Sequence, residues 1–218
     1  MRTLRFFSTL LVLFLAASNA QAAFHLWDIT EVYSNADGSV QFVEFFTNIN
    51  SQDELFNHDV TSTTAGNTFT IPHDLGTADP IGNPNGGGNN ATANQHFLIA
   101  TPGFAALPGA PTPDYVFDAA NFFDVVAETV TLVSADSMSF TSGELPTDGI
   151  NSLNEDFGGA NRTTAVNSPT NFAGDTGSIN LQPIADTPAL SPIGALVAMG
   201  ALALAALGIY ALRARQTA

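Results

Sequence analysis

Apolar and polar residues alternate in short runs along most of the chain, and the runs are separated by segments rich in Gly, Pro and Asn. This is the period of strands rather than helices. Phe24 to Tyr33 alternates, with Leu26 and Val32 on one parity and Trp27 and Ile29 on the other. Val40 to Thr47 predicts a second strand, joined to the first through Asn35-Ala36-Asp37-Gly38. Asp-Gly between two apolar runs signals a tight turn, because Gly accepts a positive φ. Further strands are predicted at Thr68 to Ile71, His96 to Ala100, Glu128 to Ser134 and Ser137 to Phe140, with a short helical turn at Ala119 to Val126. Between residues 23 and 181 no segment carries the three- and four-residue apolar spacing of a long helix. The run from Gly76 to Asn94, centred on Gly86-Gly87-Gly88-Asn89-Asn90, is too polar and glycine-rich to pack and predicts an exposed insertion. Strands spaced in this way argue for an all-β antiparallel sandwich.

Two apolar runs break the alternation, one at each end. Phe6 to Ala17 is interrupted only by Ser8 and Thr9 and follows Arg2 and Arg5. Ala20-Gln21-Ala22 then supplies small residues at −3 and −1 of a signal-peptidase site, so cleavage is expected between Ala22 and Ala23. The second run, Ile193 to Leu212, is twenty residues without a charge. That length suffices to cross a hydrocarbon core of about 30 Å. Arg213 and Arg215 follow it and predict a cytoplasmic end by the positive-inside rule. The expected organisation is a signal peptide at 1–22, a β-sandwich at 23–181, a linker at 182–192, a transmembrane helix at 193–212 and a basic tail at 213–218.

Charge separates the middle of the chain from its ends. The chain has five Lys/Arg, all of them Arg, and twenty Asp/Glu, a net of −15. Every carboxylate lies between Asp28 and Asp186, where Arg162 is the one basic residue, so this stretch carries −19. Such a domain is a poor ligand for nucleic acid, whose phosphates need Lys and Arg. It must also be held by burial and strand pairing rather than by salt bridges. The absence of cysteine removes disulfides, thiolate metal sites and thiol nucleophiles together.

The residues around the second apolar run carry a resemblance. Thr187-Pro188-Ala189-Leu190-Ser191-Pro192-Ile193-Gly194, then the helix, then Arg213 and Arg215, resembles the PEP-CTERM class of bacterial sorting signals, in the variant with an Ile-Pro-Thr-Leu-x-x-Trp-Gly consensus (IPTL-CTERM). Pro188, Leu190 and Gly194 match; Thr187, Ala189 and Ile193 depart. The resemblance implies an exosortase substrate: recognition by a membrane-embedded exosortase-type enzyme, removal of the helix and delivery to the cell surface or extracellular matrix. A permanent single-pass membrane anchor is the alternative.

A second resemblance lies in the exported part. Ile29-Thr30-Glu31-Val32-Tyr33, a turn, then Gln41-Phe42-Val43-Glu44-Phe45-Phe46-Thr47-Asn48 is similar to the opening of a lamin-tail domain. His96 to Thr101 followed by Pro102-Gly103-Phe104 resembles its later buried strand and loop, and Asn167-Ser168-Pro169-Thr170-Asn171 its Pro-x-Asn signature. It implies an immunoglobulin-like sandwich of about seven to nine strands, an accessory module without catalytic residues.

Chemistry sought directly in the residues gives little. His58-Asp59 and His73-Asp74 recur fifteen residues apart, but three converging ligands are needed for a catalytic zinc. Asp53-Glu54 and Glu155-Asp156 are adjacent acids in Asn/Ser-rich loops, where solvation is the ordinary role. Calcium prefers clustered oxygens; Asn35, Asp37 and Ser39 around one turn, and Asp148, Asn151, Asn154 and Asp156 in one loop, are the two places for it. No nucleophile–base pair is visible. The expected function is therefore non-enzymatic: a secreted, surface-sorted protein with a structural, adhesive or display role. The alternative is a surface module that binds polysaccharide or calcium.

Overall fold

The computed structural model describes residues 24–76 and 91–182. Ten strands lie among them, in two sheets. The first sheet has the order β10 (Arg162–Val166), β9 (Asn151–Glu155), β1 (Asp28–Ser34), β2 (Gln41–Thr47), β5 (Gln95–Ala100), β6 (Tyr115–Val116). The second has the order β4 (Thr68–Thr70), β3 (Asp59–Ser62), β7 (Glu128–Leu132), β8 (Asp136–Phe140). All pairings are antiparallel except β5 with β6. The fold is an all-β sandwich. The expected segments at 1–22 and from 183 onward, and most of the Gly-rich run, lie outside the described residues.

The main core lies between the sheets and is built largely from Phe and β-branched residues. Trp27 is at its centre, edge-on to Phe97 at 4.7 Å between ring centroids, and Phe97 stacks on Phe45 at 4.3 Å. The Trp27 indole N–H donates to the Gln52 carbonyl at 2.6 Å, so its one polar atom is satisfied in the interior. Val60, Val130, Leu132, Met138 and Phe140 close the core from the four-stranded side.

A second apolar layer covers the opposite face of the six-stranded sheet. Tyr33, Phe42, Leu98 and Ala100 pack there beneath Phe104 of the short helix α1 (Pro102–Ala105) and beneath Ile179. The centre of this sheet is thus covered on both faces, and β2 is buried at six of its seven positions. In β7, which has one open face, buried and part-exposed residues alternate.

A bulge explains the parity in the first strand. Ile29 pairs with Phe45 but Glu31 pairs with Glu44, so Thr30 is an extra residue on β1. The bulge lets Trp27, Ile29 and Val32 all enter the core despite their mixed parity, while Leu26 is left largely exposed. It also turns Glu31 and Tyr33 together onto the outer face.

Four strands and one turn differ from the pattern-based expectation. Asn151 to Glu155 is a strand, not loop, and β10, β3 and β6 had no apolar alternation long enough to mark them. No helical turn forms at Ala119 to Val126. There the buried Gln41 amide takes Phe122 N–H and Phe123 N–H on its oxygen and donates to Phe123 O, pinning the chain in a non-helical path. The tight turn is present: Gly38 has φ of 75° and donates to Asn35 O at 3.2 Å.

Gly103 sits where α1 crosses the β1–β2 turn, and a Cβ there would collide with the Ser39 carbonyl. Gly103→Ala should therefore destabilise the domain by on the order of 1–3 kcal/mol in urea unfolding, the cost of forcing atoms into packed backbone. An unchanged midpoint would contradict this packing.

Candidate functional site

The outer face of the six-stranded sheet divides into an apolar half, described above, and an acidic half. The acidic half begins with the cross-strand pair Glu31 and Glu44, which the bulge brings opposite one another. Their side chains are buried, at 2% and 4% exposure. Two carboxylates at that depth need donors, and none of the donors here is Lys or Arg.

The donors come largely from a strap, residues 167–172, that crosses this face. Glu31 Oε1 accepts from Ser168 N at 2.9 Å and from Ser152 Oγ at 2.6 Å, and Oε2 accepts from Ser168 Oγ at 3.1 Å. Glu44 Oε2 accepts from Thr170 N at 2.6 Å. Asp114, just before β6, accepts from Phe172 N at 3.0 Å and from Leu98 N at 2.8 Å. Successive alternate amides of the strap, at 168, 170 and 172, thus meet three carboxylates instead of a neighbouring strand. His96 Nδ1 donates to Glu44 Oε1 at 2.8 Å and contributes the ion pair of this group when it is protonated.

Both ends of the strap are fixed. The buried Asn167 amide donates to Ile179 O at 2.7 Å and accepts from Ile179 N at 2.7 Å, tying 167 to the chain that covers the apolar half. Asn171 donates to Thr112 O at 2.9 Å and accepts from Asp175 N at 2.8 Å.

Burial sets the electrostatics. It pushes the Glu31 carboxyl up to about 7, with Glu44 adding repulsion and the Ser152 and Ser168 donors opposing the shift. Burial likewise raises Asp114 to about 6 against its backbone donors and His73. Glu128, in the second sheet, shows the opposite balance. Burial would raise it, but the N–H groups of Thr64, Asp124, Ala65 and Thr129 outweigh that and hold it below the usual range.

Beside the strap, a cleft of about 320 Å³ is lined by His73, Leu75, Asp114, Tyr115 and Phe172. The Tyr115 hydroxyl donates to His73 O at 2.9 Å and is not free to act as a base or nucleophile. The arrangement holds a chain segment in place, and the Ser152 and Ser168 hydroxyls that meet Glu31 are donors in that same clamp.

The other residues considered from sequence are scattered. Ala20, Ala22 and Ala23, and Pro188, Leu190, Gly194, Arg213 and Arg215, lie outside the described residues. His58 stacks on Phe24 at 3.4 Å between ring centroids, and Asp59 accepts from Thr70 Oγ1. Glu155 pairs with Arg162 at the end of β9. At the first turn considered for calcium, Asp37 Oδ1 is taken by Ser39 N and Oγ, and Asn35 Oδ1 by Val40 N. At the second, Asp148 is taken by Ile150 and Asn151, and Asp156 by Asn161. Among the described residues no three His, Asp or Glu side chains converge to hold a metal ion. Glu31 and Glu44 were visible in sequence only as acids within otherwise apolar strands; that placement is the signal that marks them.

Glu31 binds a proton more tightly folded than unfolded, so its contribution to stability is complete below about 4.5 and is lost as the pH rises through about 7. Asp114 acts in the same direction, with its loss centred near 6. Wild-type stability should fall between pH 5 and 8, with a Glu31 share of at most about 3 kcal/mol. Glu31→Gln should flatten most of that fall, and urea titrations that stay parallel for the two proteins would refute the assignment. No family model matches the sequence, and no curated protein or solved structure matches it.

Proposed function

We propose that this chain is a non-enzymatic, exported protein of the bacterial cell surface, with a structural, adhesive or display role, sorted through its C-terminal signal. On this reading Ala20 and Ala22 direct signal-peptidase cleavage before Ala23. Pro188, Leu190, Gly194, Arg213 and Arg215 present the tail to an exosortase-type enzyme while residues 193–212 hold the membrane in transit. The exported part is then a lamin-tail-like, immunoglobulin-like sandwich. The two-sheet, largely antiparallel architecture supports the sandwich part of that reading.

One observation carries the role. The last described segment is held through its backbone: Ser168, Thr170 and Phe172 donate to Glu31, Glu44 and Asp114, Ile179 donates to Asn167 of the strap, and Leu181 N donates to Gly149 O, just before β9, at 2.8 Å. A tail attached directly after such a segment passes load into the sheet rather than peeling off a loose end. The acidic groups of the domain serve this clamping and the local turns, which suits a display module better than a catalyst. The alternative, a polysaccharide-binding surface module, draws support from the cleft beside Tyr115 and Phe172. Glycan-array binding that disappears in Phe172→Ala would favour it.

Intact-mass analysis of surface-extracted protein should give a chain beginning at Ala23 and ending near the 187–194 motif. A C-terminus intact through Ala218 would overturn the processed tail in favour of a permanent anchor. Loss of the exosortase should shift the protein from the surface to the inner-membrane fraction, and an unchanged distribution would count against sorting by this signal.

A further inference from the structure

The six-stranded sheet ends in β10, and the hydrogen bonds flanking that strand fix which of its backbone groups are used. Asp156 N donates to Asn161 O at 2.9 Å, and Asn167 N donates to Ile150 O at 3.0 Å. With the two-residue period of an antiparallel ladder, Thr163 and Ala165 therefore direct N–H and C=O toward β9. Arg162, Thr164 and Val166 direct theirs away from the sheet. Those outward groups have no partner among the described residues, and all five residues of β10 are exposed.

The other edges are shorter or already engaged. The two-residue β6 is bracketed by Asp114 and Asp118, and β4 has three residues, with Thr70 tied to Asp59. On β8, Asp136 lies within the strand and the Arg162 guanidinium already caps Ser139 O at 2.6 Å. By contrast β10 lacks the devices that blunt an edge: it has no proline, lysine or bulge, and its single charge is turned back onto Glu155 and Ser139.

We propose that β10 is a strand-addition site through which two copies of this chain join, β10 to β10, antiparallel about a twofold axis at Thr164. The register is self-complementary. Thr164 faces Thr164 and Arg162 faces Val166, so three outward N–H and three outward C=O groups from each copy are all used, in six inter-chain hydrogen bonds. Like charge opposes a second copy least at this edge. A copy carrying −19 over its exported part is repelled along most of the surface, and the Arg162–Val166 strand is a five-residue edge without a carboxylate. Pairing there also covers part of Val166, which is 57% exposed. The result is one continuous sheet of twelve strands across two molecules.

The chain has no cysteine, so a single introduced thiol reports this register without background. Directly opposed residues of a hydrogen-bonded antiparallel pair lie about 5.5 Å apart at Cα, within disulfide reach. Full-length chain in detergent, treated with a mild oxidant, should shift mostly to doubled mass on non-reducing gels as Thr164→Cys. It should stay mostly monomeric as Val166→Cys, whose two copies would lie four residues out of register. A monomeric Thr164→Cys, or equal cross-linking of both variants, overturns the proposal. Because the oxidant is supplied, neither outcome depends on export or on processing of the tail.

Discussion

Three buried or part-buried carboxylates in one sheet face accept the amides of a crossing strap, and the outer half of the molecule depends on that arrangement. Glu31, Glu44 and Asp114 stand where a further strand would present carbonyls, and Ser168, Thr170 and Phe172 meet them with the two-residue period of a ladder. Charge-assisted hydrogen bonds of this kind are about twice as strong as neutral ones. At Glu31 and Asp114 they only partly offset burial, which leaves both carboxyls above the usual range, and no Lys or Arg is present beside them. The strap in turn fixes Asn167, which holds the Ile179 backbone over Tyr33 and Phe42. The apolar cover of the sheet therefore rests on a polar clamp next to it.

The same constraint accounts for the scarcity of ion pairs. Two lie among the described residues, His96 with Glu44 and Arg162 with Glu155. Backbone amides do the work that cations do elsewhere: Glu128 gathers the turn at Thr64 and Ala65 to β7, and Asp124 and Asp148 each cap their own turns. An acidic chain can fold in this way with its carboxylates either solvated or bonded to amides, and its net charge then acts mainly on what approaches it. The uncharged edge of β10 matters for that reason.

How much of this was legible in the sequence depended on burial. Strands with core residues on a regular period, β2, β5, β7 and β8, announced themselves, and so did the Asp37-Gly38 turn. β9 and β10 did not, because Leu153 is the one core side chain between them and β10 has none. The bulge at Thr30 was present in the sequence only as a conflict, with Trp27 and Ile29 on one parity and Val32 on the other; a bulge is what reconciles them. The clamp was the least visible part. Its partners are separated by 58 to 137 residues and act largely through backbone amides, which leave no trace in side-chain pattern. Only the acids themselves, set among Ile, Val and Phe, marked the place.

The clamp is tested most directly by hydrogen exchange at the amides of Ser168, Thr170 and Phe172, comparing wild-type protein with Glu44→Ala. Removal of that carboxylate should speed exchange along 167–172 and at Ile179, while β3 and β7 of the opposite sheet keep their protection. Strap amides that exchange as fast in the wild type as in an unstructured peptide would contradict the account. So would a Glu44→Ala variant whose strap remains as protected as before.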